Sequence, residues 1–265
     1  MRIFDSHAHY DDKSFDENRE EILNEVFGNG VCKICNIGAS LESSKKCVEL
    51  CKKYDNIYAS VGVHPSDAVR DMQNDNWLAI LESLYTQNQK VVAIGEIGLD
   101  YYWTPEDKEE QKKCFVAQMS LARKLNAPVI IHDREAHADT LEILKSFPDV
   151  RGVVHSFSGS SEMAKEVLKL GYYISVNGVV TFKNARKIVE IVEDLRSLHP
   201  DALNRILVET DCPYLTPVPY RGKQNRSDYI KYTAEKCAEL LKITPDEFCE
   251  ITYNNALRFY AIENK

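Results

Sequence analysis

The fold this sequence predicts is a closed barrel of eight parallel strands, each followed by a helix, in one domain over residues 1–265. Three observations predict it. Short apolar runs rich in β-branched residues recur eight times, helical apolar patterns separate them, and no flexible linker or shift of composition breaks the rhythm. Eight such units in 265 residues suit a (β/α)8 TIM barrel, for which about 250 residues is typical, better than the alternative of an open doubly wound sheet. A Rossmann-type sheet would also need Gly-x-Gly-x-x-Gly after its first strand, and neither that motif nor a Walker A loop occurs.

The strands are expected at residues 2–6, 31–37, 57–63, 91–97, 128–132, 152–156, 172–176 and 205–209. Helix starts can be named between them. Thr104-Pro105-Glu106-Asp107 and Thr244-Pro245-Asp246-Glu247 each offer an N-cap, a proline at the first helical position and an acid at the third. Cys114, Ala117, Leu121 and Leu125 follow steps of three and four, the spacing of one buried helical face, with Phe115 and Met119 expected as packing. Met163, Val167 and Leu170 make a shorter stripe, and Gly171 stands where the helix end needs a left-handed residue.

No apolar run approaches the ~18 residues of a membrane span, and the chain meets Asp5 before any stretch resembling a signal peptide. The expectation is a soluble cytoplasmic protein whose eight cysteines are reduced thiols. Cys32-x-x-Cys35 lies in a strand, where residues three apart face opposite ways, so Cys32, Cys35, Cys47 and Cys51 are read as core rather than as a zinc or redox site. The formal charge of −8 repels polyanions and excludes a generally basic, histone-like binder. Any nucleic-acid binding must rest on a local basic patch or on bound cations.

Chemistry enters through the histidines. Asp5, His7 and His9 are spaced by two, so an extended backbone projects all three side chains to one side, toward the barrel mouth. Glu96 ends the run Val91-Val92-Ala93-Ile94-Gly95, His132 ends Pro128-Val129-Ile130-Ile131, and His155 ends Gly152-Val153-Val154. Asp211 follows Ile206-Leu207-Val208-Glu209-Thr210. Such groups at the ends of apolar strands are costly to desolvate unless paired or bound to a cation. The set is four imidazoles and two carboxylates, enough for two divalent ions sharing a carboxylate bridge.

Other side chains suggest how a substrate is held. Arg134, two residues beyond His132, can present a planar guanidinium to a phosphate, and Arg221, Lys223 and Arg226 make a basic loop on an acidic protein. His64, ending the third strand, is a candidate substrate contact. Tyr101, Tyr102 and Trp103 offer rings for the bases of a single strand or, equally, for packing on the barrel rim. His137 and His199 fall outside the set and are expected at the surface.

Seven motifs run in order: Asp5-Ser6-His7-Ala8-His9, Gly62-Val63-His64-Pro65, Gly95-Glu96-Ile97-Gly98-Leu99-Asp100-Tyr101, Ile131-His132-Asp133-Arg134, His155-Ser156-Phe157-Ser158-Gly159, Glu209-Thr210-Asp211-Cys212-Pro213, and Pro217 to Asn225. Through them the chain resembles, over nearly its whole length, the TatD family of metal-dependent deoxyribonucleases within the metallo-dependent hydrolase group of TIM barrels. The resemblance implies that His7, His9, Glu96 and Asp211 hold one metal and that Glu96 bridges to a second held by His132 and His155. Ser66 and Ser227 stand where the family often has His and Pro, and neither is an expected ligand.

The implied reaction is hydrolysis of a phosphodiester by a metal-activated water, with Asp211 orienting or deprotonating that water and Glu96 chiefly holding the metals together. His64, Arg134, Arg221 and Lys223 are the expected substrate contacts. Mg²⁺ or Mn²⁺ is expected to support activity, while Zn²⁺ can copurify with a His-rich site. The expected substrate is nucleic acid, foremost single-stranded DNA digested from 3′ to 5′, with RNA as a further substrate and with no membrane or obligate protein partner. The rival enzyme class is hydrolysis of amides or esters such as D-aminoacyl-tRNA. A non-enzymatic metal-binding module would predict damaged ligands, and none of the six is missing.

Overall fold

The computed structural model describes residues 1–262. Its strands are β1 (Ile3–Ala8), β2 (Val31–Ile37), β3 (Ile57–Val61), β4 (Val91–Asp100), β5 (Val129–Arg134), β6 (Gly152–Val154), β7 (Tyr173–Val176) and β8 (Ile206–Val208). They lie in sequential order in one sheet, every neighbouring pair parallel. The order closes at the rim. Ala8 bridges Cys212 in parallel, the Asp211 N–H donates to the His7 carbonyl at 2.9 Å, and the His9 N–H donates to the Cys212 carbonyl at 2.8 Å. The architecture is therefore the TIM barrel and not the open sheet.

The helices are α1 (Arg19–Gly28), α2 (Leu41–Lys53), α3 (Ala68–Asp71), α4 (Trp77–Thr86), α5 (Lys108–Leu125), α6 (His137–Lys145), α7 (Ser161–Lys169), α8 (Arg186–Glu193), α9 (Leu195–Leu198), α10 (Ile230–Leu241) and α11 (Pro245–Tyr260). α11 starts as its sequence predicts: Thr244 Oγ1 accepts from the Glu247 N–H at 3.2 Å while Glu247 Oε2 accepts from the Thr244 N–H at 2.8 Å. Thr104 behaves differently. Its Oγ1 is taken by Gln111 Nε2 at 2.8 Å, so it braces the loop before α5 instead of capping the helix. Gly171, after α7, has the expected positive φ of 88°.

Two apolar layers hold the barrel. Outside, the strands pack against the helices, with Cys114, Phe115, Met119 and Leu121 of α5 buried. A second cluster joins Phe4, Cys35, Ile37, Val92, Ala93, Ile130, Val153 and Leu207 of the strands to Tyr253, Ala256, Leu257, Phe259 and Tyr260 of α11. α11 thus plugs the end where the strands begin, and the Tyr260 hydroxyl donates to the Ser6 carbonyl at 2.7 Å. All eight cysteines are free thiols; Cys35, Cys47 and Cys51 are buried and Cys32 is half-buried, as core residues should be. No helix among the described residues is long and apolar enough to cross a membrane.

Three strands outrun their sequence-based ends: β1 continues to Ala8, β4 to Asp100 and β5 to Arg134. Glu96 consequently lies within a strand rather than at its tip. The β4–β5 register shifts between Ile94 and Ile97, and the Glu96 N–H donates to the Gly38 carbonyl at 2.8 Å instead of continuing the ladder. Such irregularities re-aim a side chain. Close backbone approach permits this one, since a Cβ on Gly62 would come within 2.7 Å of the Gly95 carbonyl carbon.

Candidate metal centre

β1 and the turn after β8 supply the first group of donors. His7 Nε2 and His9 Nε2 are 3.1 Å apart, and they lie 3.5 and 3.4 Å from Asp211 Oδ1 and 3.5 and 3.8 Å from Glu96 Oε2. Separations of 3.1 to 3.8 Å are those of donors that can share one small divalent ion, which nitrogen and oxygen bind at about 2.0 to 2.2 Å. The donor set fits a cation. His9 is oriented by Nδ1, 3.1 Å from the Ile37 carbonyl, and Asp211 by its bond to His7 and a left-handed φ of 57°, which Asp tolerates better than most residues.

β5 and β6 supply the second group. His132 Nδ1 and His155 Nε2 each lie 2.7 Å from Glu96 Oε1 and 3.2 Å from one another. Carboxylates stand behind both rings: Asp100 Oδ2 is 3.0 Å from His132 Nε2, and Glu209 Oε1 is 3.6 Å from His155 Nδ1. Glu209 is itself held by the Ser156 N–H at 2.7 Å and the Ser175 hydroxyl at 2.6 Å. His64 completes the rim, with Nε2 3.7 Å from Glu96 Oε1 and Nδ1 accepting from the Ser66 N–H at 3.1 Å.

The charge balance is that of a cation site. Burial pushes the Glu96 carboxyl up, but the charge of His155 and the bonds from His132 and His155 outweigh it and hold the group well below the usual range. Burial likewise opposes ionisation of Asp211, and the His9 hydrogen bond with the charge of His155 lowers it. His9, despite burial, is raised to about 9 by Asp211 and Glu96. His7 and His155 stack at 4.0 Å, so they cannot comfortably carry charge together; burial and His155 lower His7, while Glu96 and Glu209 raise His155 against burial. Protons here sit where a divalent ion would neutralise the same carboxylates. The buried Nδ1 atoms of His7 and His155 have no hydrogen-bond partner.

All six expected donors therefore converge, with His64 beside them. Asp5 does not join them, although its spacing aligned it with His7 and His9. Its buried carboxylate accepts from the Thr210 N–H at 3.0 Å, the His7 N–H at 3.3 Å, and the hydroxyls of Thr210 and Ser227, tying β1 to the segment after β8. Arg134 at the end of β5 and Arg221 and Lys223 on the loop after β8 are exposed at the rim, their cationic groups 4.4, 3.8 and 5.3 Å from the ring centres of Tyr102, Phe182 and Tyr220. Arg226 is committed to Glu25 and Asp228 at 2.7 Å each, a structural role. His137 is not a bystander either, since Nδ1 lies 2.7 Å from Asp133 Oδ2. Sequence reasoning assigned no role to Asp100 and Glu209, although both stood inside the quoted motifs.

A TIM barrel whose strand ends gather four imidazoles and two carboxylates defines a metal-dependent hydrolase of the metallo-hydrolase type. The chain belongs to the TatD family: residues 4–261 match the model described as TatD related DNase. It is 42% identical to the metal-dependent hydrolase YabD of Bacillus subtilis over 262 residues, covering 98% of this chain and 99% of that protein. It is 37% identical to the metal-dependent hydrolase YcfH of Escherichia coli over 268 residues, covering 99% and 97%. Among solved structures, the TatD homologue YJJV of Escherichia coli K12 superposes with a TM-score of 0.89 at 30% identity, covering 99% of both chains.

Proposed function

We propose that this protein is a two-metal deoxyribonuclease that digests single-stranded DNA from 3′ to 5′, with RNA as a further substrate. In this reading His7, His9, Glu96 and Asp211 hold one ion and Glu96, His132 and His155 the second, with Mg²⁺ or Mn²⁺ in turnover. The observation that carries it is the division of one carboxylate: Glu96 Oε2 faces His7 and His9, while Oε1 faces His132 and His155. The cytoplasm suits the eight free thiols.

When bound, divalent ions make a water more acidic and neutralise charge on the oxygens of a phosphodiester. The chain does the rest. Asp211, ionised and fixed by its backbone, accepts the water's proton; Glu96 keeps the two halves of the site in register. His64, driven down to about 3 by burial and His132, stays uncharged and offers Nε2 as a hydrogen-bonding contact for a substrate oxygen. Arg134, Arg221 and Lys223 bring positive charge to the rim of a protein whose net charge is −8, and so admit a polyanion there.

The test is digestion of end-labelled single-stranded DNA after chelation and after readdition of Mg²⁺ or Mn²⁺. Activity should vanish with the metal and return with it, shortening the strand from its 3′ end. Undiminished cleavage by demonstrably metal-free protein rejects the mechanism. Hydrolysis of an aminoacyl ester without hydrolysis of a phosphodiester assigns the site to carbonyl chemistry instead.

A further inference from the structure

Tyr102 and Trp103, 55% and 65% exposed, are among the most exposed large hydrophobic side chains of the described residues, and they stand on the loop after β4 at the rim that carries the donor cluster. We propose that these two rings, with Arg134 beside them, form a seat for one unpaired base of a single-stranded nucleic acid, which makes Trp103 a specificity-determining residue. The proposal rests on the nucleic-acid reading of the site and adds the feature that distinguishes an unpaired strand from a duplex.

The seat is preorganised. Asp100 Oδ1 accepts from the N–H groups of both Tyr102 and Trp103 at 2.9 Å. The buried Gln111 amide clamps the same loop, with Nε2 donating to the carbonyls of Asp100 at 3.0 Å and Thr104 at 2.8 Å and Oε1 accepting from the Asp100 N–H at 2.8 Å. A loop tied so closely holds its aromatic side chains at the solvent edge by construction. The rings meet edge to face, centroids 4.9 Å apart at 88°, so their contact occupies one face of one ring only, and Trp103 stays 65% exposed. The Arg134 guanidinium lies 4.4 Å from the centre of Tyr102 and 5.6 Å from that of Trp103.

An aromatic face beside a cation matches a nucleotide, whose base has a π-face and whose phosphate is an anion. Every base has such a face, so the seat tolerates sequence, but a paired base inside a duplex keeps its faces within the stack. The seat also adjoins the chemistry. The second oxygen of Asp100, Oδ2, is the one that contacts His132 Nε2 at 3.0 Å, so a single carboxylate positions both the aromatic loop and a donor of the proposed second metal.

The test compares a hydrolysis-resistant phosphorothioate oligothymidylate with an abasic oligomer of the same length and backbone, each titrated against the full-length, metal-loaded protein. Trp103→Ala should bind the oligothymidylate roughly 5- to 150-fold more weakly, the affinity equivalent of one stacked base. Its affinity for the abasic strand should not change, and Trp103→Phe should restore most of the loss. Trp77, the other of the two tryptophans, is 9% exposed, so quenching of tryptophan emission on binding should disappear in Trp103→Phe. Equal losses on both oligomers, or no loss on either, overturn the seat while wild-type binding and cleavage leave the nuclease reading standing. A wild-type protein that neither binds nor cleaves oligothymidylate overturns both.

Discussion

The half of the donor cluster around His7, His9 and Asp211 and the half around His132 and His155 share Glu96 but place their negative charge differently. In the first, a second carboxylate stands among the donors and the His9 ring leans on a backbone carbonyl. In the second, both remaining donors are imidazoles and the carboxylates stand behind them, Asp100 at 3.0 Å and Glu209 at 3.6 Å. A carboxylate donor contributes its full charge to a cation, whereas a carboxylate behind an imidazole fixes the ring and makes it more basic. The difference teaches that the first half depends on what its donors are, and the second on what supports them.

The largest effect should come from the first half. Asp211→Asn keeps the shape and one oxygen but cannot take the water's proton, so phosphodiester cleavage at saturating Mg²⁺ should fall by roughly 10²- to 10⁴-fold while single-stranded DNA still binds. Cleavage comparable to wild type would move the base to another group, Glu96 first. A smaller effect, confined to the second half, is expected from Asp100→Asn: a loss of about 10- to 100-fold in metal affinity or activity. Chelator competition should then resolve one weakened class of ion and one unchanged class. Equal weakening of both would erase the distinction between the halves. The smallest effect lies outside both. Lys223→Ala should lower affinity for single-stranded DNA and flatten the plot of log affinity against log salt by about 0.7, with metal content unchanged. A loss of metal from that variant would make Lys223 part of the centre. His137→Ala is a poor control for this series, because His137 holds the buried Asp133 next to His132.

Much of this was legible in the chain. The eight strands stood out because each apolar run is short, and the donors because five of the runs, those of β1, β4, β5, β6 and β8, are closed by a His, Glu or Asp that an apolar environment would not accept unpaired. The supporting groups were harder to see. Asp100 looked like loop because β4 carries its hydrogen bonding past Ile97, which only the rim contacts between β4 and β5 reveal. Period-two spacing placed Asp5 beside His7 and His9, but it could not say that Thr210 and Ser227, more than two hundred residues away, would claim its carboxylate. Asp133 and His137 pair across the junction of a strand and a helix, where neither periodicity applies.

The closure of the barrel by its own last helix has a consequence for biogenesis. On the ribosome Asp211 follows His7 and His9 by some two hundred residues, and α11, which packs beneath β1, is completed later still. The nascent chain therefore carries five of the six donors, His7, His9, Glu96, His132 and His155, before Asp211 is made. The set is completed only as β8 docks on β1 through the bond from Asp211 to His7, and the lumen receives its plug after β8 has been made.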